Sequence, residues 1–264
     1  MLKLCIKESH SIMKSNFSKL IYLRKLHVKI WLKVFMSFFI SGYVISRTAC
    51  LGNDSLKLLG KKPIFNFQKG RIDLLISKLQ GNNVGPINNV EKYINRIDLK
   101  ELILAQKKDF TKLICKASVL YMDSYSELTD QLFVHKVNAN IRFNANYSDV
   151  DKKILKDYDC LGLIDRVTLN RQYDLFFNMV KELNPKINII YIFFPIKLEK
   201  RIKFHHQNDA IKAAIYSSKD KYDISVIEIP DSIVNRHPID GHFPYHYDSQ
   251  VYNYVSEKLK LIWN

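Results

Sequence analysis

The chain has 264 residues, 47% hydrophobic content and a formal net charge of +15 at pH 7. A chain of this length supports one large hydrophobic core or at most two small ones, so we expect one domain with an extension. The four cysteines include no C-x-x-C pair, which excludes the usual zinc-site spacing and a disulfide scaffold and predicts reduced thiols in a cytoplasmic protein. We expect neither a bound metal nor a cofactor.

The positive charge is concentrated at the start of the chain. Residues 1–33 contain eight Lys or Arg and one Glu, a net +7. The apolar run at 34–45 is shorter than the roughly 20 residues of a membrane span, and the following Ser-Arg-Thr-Ala-Cys is a poor signal-peptide cleavage site. We predict that 1–32 form a basic amphipathic extension, which either lies on a membrane surface or stays unstructured, and that 33–264 form one domain. We expect no nucleic-acid binding, because the rest of the chain has no aromatic-basic motif.

Short apolar runs alternate along the chain with segments of helical periodicity. The runs read as buried strands at 34–41, 117–123, 187–194 and 224–229. Helical periodicity is clear at 70–79, 90–112, 165–183, 198–217 and 249–263. This alternation predicts an α/β fold, a three-layer α/β/α sandwich with a mainly parallel sheet. Ligands of such folds bind at the carboxyl ends of the strands, so the segments after each strand are the candidate site.

The segment 41–48, Ser-Gly-Tyr-Val-Ile-Ser-Arg-Thr, follows the first predicted strand. At a strand-to-helix turn Gly42 would allow close backbone approach, and the amides of the first helical turn could hold a developing negative charge. Ser41 and Ser46 supply the hydroxyls of this segment. Either serine could be a nucleophile or merely an N-cap.

Two further strand ends carry polar groups. After the second strand, Asp123 ends a buried run, where a carboxylate is costly unless paired, and Ser124 with Glu127 has the spacing of a capping box. After the third strand, Lys197 and Arg201 could meet an anionic substrate or belong to a solvated helix face.

The segment 240–248, Asp-Gly-His-Phe-Pro-Tyr-His-Tyr-Asp, precedes the last helix and holds two imidazoles. Histidine exchanges protons near neutral pH, so His246 is the candidate catalytic base and Asp240 its candidate orienter. His242 is a neighbour of open role. Two zinc ligands could come from this segment, but no third ligand is apparent.

Several short blocks resemble the SGNH/GDSL hydrolase superfamily, and more closely the bacterial SGNH-like proteins associated with surface-polysaccharide loci. The blocks are 42–47 GYVISR, 68–71 QKGR, 123–127 DSYSE, 194–201 FPIKLEKR and 244–247 PYHY. The resemblance covers residues 34–264. It implies a serine nucleophile after the first strand, a backbone oxyanion hole and a histidine before the last helix. The implied substrate-binding residues are Gly42, Tyr43, Arg47, Arg71, Asp123, Ser124, Glu127, Lys197, Arg201 and His242.

By this resemblance, the protein would be an esterase or O-acyltransferase that acts on acyl groups of a bacterial surface polysaccharide. The pattern departs from the family at Tyr43, where a serine is expected, and at Phe243, which stands three residues after Asp240 in place of a histidine. The nucleophile therefore stays open between Ser41 and Ser46. The alternative is a catalytically impaired SGNH-like module that binds a glycan or a partner protein. The oligomeric state is open.

Overall fold

The computed structural model describes residues 42–87, 89–238 and 245–263, all within one compact unit that spans 41–264. The predicted extension 1–32, the predicted strand 34–41 and three candidate residues lie outside the described residues, so they stay predictions. Those candidates are Ser41, Asp240 and His242. In the described part of the chain, none of the helices has the length and apolar content needed to cross a bilayer.

Within the described residues, five parallel strands form the main sheet, in the order β2-β1-β3-β7-β8. Their bounds are β1 Tyr43–Arg47, β2 Phe65–Asn66, β3 Ala117–Asp123, β7 Asn188–Ile192 and β8 Ile224–Ile227. This is the order of doubly wound flavodoxin-like sheets. The predicted strands at 117–123, 187–194 and 224–229 are confirmed, as is the α/β class. These runs are buried because helices cover both faces of the sheet.

The strand β1 of the main sheet lies where the sequence pattern predicted a turn. Residues 43–47 pair with β2 on one side and with β3 on the other, so Ser46 lies beside Tyr121 and Arg47 beside Met122. The predicted turn over 41–48 is therefore wrong for 43–47. The strand-to-helix turn comes later, at Thr48 and Ala49.

Eight α-helices of the described chain surround the two sheets. They are α1 Cys50–Leu58, α2 Ile72–Leu79, α3 Ile97–Ala105, α4 Phe110–Ile114, α5 Tyr125–Thr129, α6 Arg166–Leu183, α7 Ile202–Lys219 and α8 Ser249–Trp263. Helix α1 packs with α8, whereas α2 packs with α6 and α6 with α7, which gives the outer layers of a three-layer sandwich. The single helix predicted at 90–112 is wrong. A 3-10 turn at Val90–Tyr93, then α3 and α4, replace it, and Asp109 caps α4.

A second, antiparallel sheet that the sequence pattern did not predict joins the domain between α5 and α6. Its order is β5-β4-β6, with β4 at Gln131–His135, β5 at Arg142–Ala145 and β6 at Tyr158–Cys160. Phe133 and Phe143 stack in its core with their ring centroids 5.1 Å apart. Leu99 and Ile103 of α3 belong to the same buried cluster. This second core carries α3 and the segment around Asp149 towards the carboxyl edge of the main sheet.

Candidate functional site

Asp123 ties two strand ends together at the carboxyl edge of the main sheet. Its Oδ2 accepts a hydrogen bond from the Ala49 N–H at 2.7 Å, and its Oδ1 accepts one from the Tyr125 N–H at 3.0 Å. The side chain is 1% exposed. Burial raises the pKa of this carboxyl to about 7, against the opposing effects of Arg47 and of the two N–H donors. Asp123 therefore holds the start of α1 against the end of β3.

Cys50 is the first residue of α1 and follows directly from this anchored turn. The residue is partly exposed to solvent, while burial of the thiol and the charges of Asp54 and Asp123 raise its pKa. The thiol is therefore protonated at neutral pH. Ala49, the N-cap, has no side-chain acceptor, so the first-turn N–H groups of α1 are not capped by it. A thiol and the N–H groups of a first helical turn thus share one helix end.

Two tyrosines hold the backbone on either side of His246. The Tyr245 hydroxyl donates to Glu199 Oε2 at 2.7 Å, and the Tyr247 hydroxyl donates to the Pro195 carbonyl at 2.7 Å. The His246 carbonyl accepts a hydrogen bond from the His237 N–H at 3.0 Å. These contacts place the imidazole-bearing residue beside the segment that follows β7.

Glu199 and Arg201 complete the support of Tyr245. Two guanidinium nitrogens of Arg201 donate to Glu199 at 2.8 and 2.7 Å, and Arg201 also donates to the Tyr245 hydroxyl at 2.9 Å. The hydrogen bonds from Arg201 and from Tyr245 lower the pKa of Glu199 to about 2, although burial opposes them. Arg201, predicted to bind substrate, is in this structure a support for the residue next to His246.

A pocket of about 660 Å³, open solvent included, lies at this edge of the sheet, and we call it the carboxyl-edge pocket. It is lined by Ala49, Cys50, Gln68, Lys69, Arg96, Asp98, Leu99, Leu102, Tyr125, Asp149, Phe194, Tyr245 and His246. A neighbouring groove of about 990 Å³ between α1 and α8 is also lined by Cys50 and His246. Cys50 and His246 therefore line both the carboxyl-edge pocket and the neighbouring groove.

One wall of the carboxyl-edge pocket is aromatic. The ring centroids of Tyr125 and Phe194 are 4.9 Å apart, and those of Tyr125 and Tyr245 are 5.4 Å apart. Burial raises the pKa of Tyr125 to about 12, with Lys69 opposing, so its hydroxyl stays a neutral donor and acceptor. The wall combines apolar faces with phenol hydroxyls.

The facing wall carries charged side chains, which already form ion pairs with one another. Lys69, 2% exposed, lies 2.8 Å from Asp130 and 3.6 Å from Asp149. Burial alone would lower the pKa of Lys69, but the two carboxylates raise it. Arg96 and Asp98 form a more exposed pair at 2.6 Å. The second core therefore contributes Arg96, Asp98 and Asp149 to a pocket whose other wall comes from the main sheet.

The structure does not place Ser46 at this pocket. Ser46 lies inside β1 with 0% exposure, and its Oγ has no hydrogen-bond partner among the described residues. It is not among the described residues that line the carboxyl-edge pocket or the groove. The reason is the strand assignment: a serine inside a doubly paired strand is covered by the helical layers. Ser41, the other candidate, lies outside the described residues.

Gly42 and Tyr43 lie at the opposite, amino-terminal end of β1. Gly42 has a φ of 77°, and its N–H donates to the Lys116 carbonyl at 3.0 Å, just before β3 begins. The Tyr43 hydroxyl donates to the Leu113 carbonyl at 2.8 Å. Because β1 begins at Tyr43 and its carboxyl end is Arg47, neither residue is among those that line the carboxyl-edge pocket, and their predicted role in substrate binding stays a prediction.

Three other predicted binding residues form a buried framework behind the pocket. Arg47 pairs with Glu127 at 2.7 Å, and both side chains are 0% exposed. Arg71 donates to the carbonyls of Asp130 and Gly162 at 3.1 and 2.8 Å. Unpaired charges are costly to bury, so this pairing fixes how α2 and α5 meet β1. These residues support the site, and in this structure they do not line the pocket.

The remaining predicted binding residues also serve the fold. Ser124 Oγ accepts a hydrogen bond from the Phe194 N–H at 2.9 Å, which joins the ends of β3 and β7. The Lys197 ammonium donates to the carbonyls of Asp231 and Val234 at 2.7 and 3.2 Å. Asp240 and His242 lie outside the described residues. Among the described residues, no cluster of three or more His, Cys, Asp or Glu side chains could hold a metal ion.

Sequence reasoning missed Cys50, Lys69, Tyr125 and Asp149. Cys50 was counted only as one of four scattered cysteines. A signal was present: small Thr48, Ala49 and Gly52 surround the cysteine, as a tight strand-to-helix turn requires. Asp149 could not be found, because it reaches the pocket only through the second sheet.

No family model and no curated protein sequence matches the chain. A solved structure with a weak likeness is an acetyl xylan esterase, Est2A, from the rumen bacterium Butyrivibrio proteoclasticus, at 10% sequence identity and a TM-score of 0.34. The match covers 81% of this chain and 56% of the esterase chain, so the protein spans about half the length of that neighbour. A likeness at this level carries no argument about activity.

Proposed function

We propose that the protein catalyses acyl transfer at the carboxyl-edge pocket, with Cys50 as the nucleophile and His246 as the general base. The observation that carries the proposal is that these two residues line both spaces at the carboxyl edge of the sheet. Ligands of doubly wound sheets bind at this edge. A nucleophile beside an imidazole is the arrangement that acyl-transfer enzymes need.

The proposed reaction starts from the protonated thiol of Cys50. His246 takes the thiol proton as the sulfur attacks the ester carbonyl, and the carbonyl oxygen becomes an oxyanion. We assign the first-turn N–H groups of α1 as the backbone donors for that oxyanion, each worth about 3 to 4 kcal/mol in comparable sites. The alcohol then leaves with the proton from His246. A thioester on Cys50 remains, and water or a sugar hydroxyl resolves it.

The raised pKa of Cys50 makes the base necessary. A thiol with a lowered pKa would attack as a preformed thiolate, whereas burial, Asp54 and Asp123 keep this thiol protonated. Attack therefore needs proton removal in the same step. This accounts for the two tyrosine anchors that hold the segment bearing His246.

The pocket walls suit an acylated glycan. Tyr125, Phe194 and Tyr245 offer apolar faces for a sugar ring, and Asp98 and Asp149 offer acceptors for sugar hydroxyls. The resemblance to SGNH-like proteins of surface-polysaccharide loci supports the same substrate class. We propose an esterase or O-acyltransferase for O-acyl groups of a bacterial surface polysaccharide.

The test is turnover of a chromogenic acetyl ester by the full chain and by matched variants. Cys50→Ala and His246→Ala should each lower kcat/KM by about 100-fold or more, the usual effect of losing a nucleophile or a base. Cys115→Ala removes another exposed thiol of the described chain and should leave turnover unchanged. Ser46→Ala should also leave it unchanged. Loss of turnover in Ser46→Ala alone would move the nucleophile to Ser46 and contradict the proposal.

A second candidate function is glycan binding without turnover. The burial of Ser46 favours it, because the serine that the SGNH resemblance requires is covered. Under this alternative the wild type would show no ester turnover above background, and Tyr125→Ala would weaken retention on an acetylated polysaccharide. Turnover that depends on Cys50 excludes it.

A further inference from the structure

A second pocket, of about 800 Å³, lies away from the carboxyl edge, and we call it the amino-edge pocket. Among its lining residues are Asn82, Lys78, Lys107, Asp109, Thr111 and Lys112. Lys78 is in the last turn of α2, whose first N–H, that of Ile72, donates to Glu127 near the carboxyl edge. The chain around Leu113 contacts Tyr43 at the start of β1. The pocket therefore lies towards the amino ends of the strands.

Lys78 is a largely buried residue that forms no ion pair within the described part of the chain. The residue is 8% exposed, and no carboxylate of the described residues lies within ion-pair distance of its ammonium. The nearest acid that acts on it is Asp109, which already caps α4 and pairs with the Lys112 ammonium at 3.4 Å. The Lys78 ammonium is not among the fully buried polar atoms that lack a partner, so it opens into the pocket, where an anionic ligand would supply the partner that it lacks among the described residues.

The surroundings of Lys78 add positive charge. The lining contains three lysines and one aspartate, a formal +2. Arg142, close enough to act on Lys78, donates to Ser77 Oγ at 2.6 Å, and its Nε is buried without a hydrogen-bond partner among the described residues. Burial lowers the pKa of Lys78 to about 8; Asp109 opposes the effect and Arg142 adds to it. The acids that act on Lys107 and Arg142 are Glu91 and Asp73.

We propose that the amino-edge pocket binds a phosphate dianion, either inorganic phosphate or the phosphate group of a monoester, with Lys78 as the central contact. A charge of −2 matches the formal charge of the lining. The Thr111 hydroxyl and the Asn82 amide are the neutral groups beside it. This site is separate from Cys50 and His246, so it stands or falls independently of the proposed function.

The proposal is tested by isothermal titration of the full chain with three probes at matched ionic strength: inorganic phosphate, a hexose 1-phosphate and adenosine monophosphate. Sodium acetate and sodium chloride serve as controls, since screening alone changes surface electrostatics. Saturable binding of phosphate or of a monoester, with weaker binding of acetate, is expected. Tighter binding of one monoester than of inorganic phosphate identifies the source. No saturable binding of any phosphate probe would overturn the proposal.

Two variants with opposite expected effects on phosphate affinity locate the site. Lys78→Met should weaken phosphate binding about tenfold or more, as expected for the loss of a charged hydrogen bond. Asp109→Asn keeps a capping side chain but removes the negative charge, so it should tighten binding several-fold. Lys219→Met, at an exposed lysine of α7, is the matched control and should change nothing. If Lys78→Met does not fold, Lys112→Met replaces it with the same expected direction. Equal affinity in all variants would contradict the assignment.

Discussion

Asp123 is the residue on which the candidate site depends most. It is almost completely buried, yet it accepts hydrogen bonds from Ala49 and Tyr125, which follow two different strands. Its carboxylate sets the position of the first turn of α1, and through that turn the position of Cys50. The sequence predicted a site role for Asp123 because a carboxylate at the end of a buried strand must have a partner. That argument named the residue but not its partners.

The raised pKa of Asp123 gives a pH dependence of stability. The pKa rises from 3.8 to about 7 on folding, so the contribution of this group is fully present below pH 3.8 and is lost as the pH rises through 7. Asp123→Asn removes the contribution. The free energy of unfolding, measured with urea between about pH 4 and pH 8, should fall less with pH in the variant than in the wild type. Parallel curves for the two proteins would contradict the assignment.

The contribution of Glu199 to stability changes with pH in the opposite direction to that of Asp123. Its pKa falls from 4.5 to about 2 through Arg201 and Tyr245, so its stabilisation is present above pH 4.5 and is lost as the pH falls towards 2. Glu199→Gln should lower the melting temperature at neutral pH and should lower kcat, because Tyr245 loses its hold beside His246. The difference in melting temperature between Glu199→Gln and the wild type should become smaller at acidic pH. Glu228→Gln, which removes a surface pair with Lys212, is the matched control and should leave kcat unchanged.

At the scale of elements, β1 shows where sequence patterns succeed and fail. Residues 34–41 form the more apolar run and were predicted to be the first strand, but residues 43–47 form an internal strand of the described sheet, between β2 and β3. The polar residues Ser46 and Arg47 made this strand look exposed in the sequence. Hydrophobic periodicity does not reveal that Arg47 pairs with Glu127 in the interior. Because the first strand was predicted too early in the chain, the segment expected to carry the nucleophile was also predicted several residues too early, and Cys50 was not considered.

The turn between β1 and α1 tolerates little change. A Cβ added at Gly52 would lie 2.5 Å from the Thr48 Cβ, which is closer than side chains approach. Gly52→Ala should therefore destabilise the fold by about 1 to 3 kcal/mol, despite the better helix propensity of alanine. It should also lower ester turnover, because the turn that carries Cys50 has to shift. Urea unfolding and kcat/KM measure the two effects.

The double variant Gly52→Ala, Thr48→Gly is the control for this contact. It removes the atom that the new methyl group meets, so it should recover part of the activity lost in Gly52→Ala. Wild-type stability and turnover in Gly52→Ala would show that the turn is looser than the structure has it.

At the scale of the molecule, the order of strands and helices was accessible from the sequence, but the second core was not. Apolar runs with helices between them sufficed for β3, β7, β8 and the long helices. The antiparallel sheet was missed because its strands are short and because β4 has one fully buried residue, Phe133. Its register also depends on a partner more distant in the sequence, since Phe133 lies beside Cys160.

The second core should be necessary for the pocket as well as for stability. Phe133→Ala removes a fully buried ring that stacks on Phe143, so the free energy of unfolding should fall by about 3 to 5 kcal/mol. Ester turnover should fall too, since Arg96, Asp98 and Asp149 lose their support. Leu161→Ala, at an exposed residue just after β6, should change neither quantity much. Unchanged turnover in Phe133→Ala would show that the second core is dispensable for the site.

The central claim is that Cys50 carries the acyl group. The full chain is mixed with an acetyl ester, quenched in acid within the first turnovers and digested, and the acetylated peptide is identified by mass spectrometry. We predict one acetyl thioester, on the peptide that contains Cys50, which accumulates in wild type and is absent in Cys50→Ala. An acetyl group on a serine instead, or ester turnover that persists unchanged in Cys50→Ala, would contradict the account.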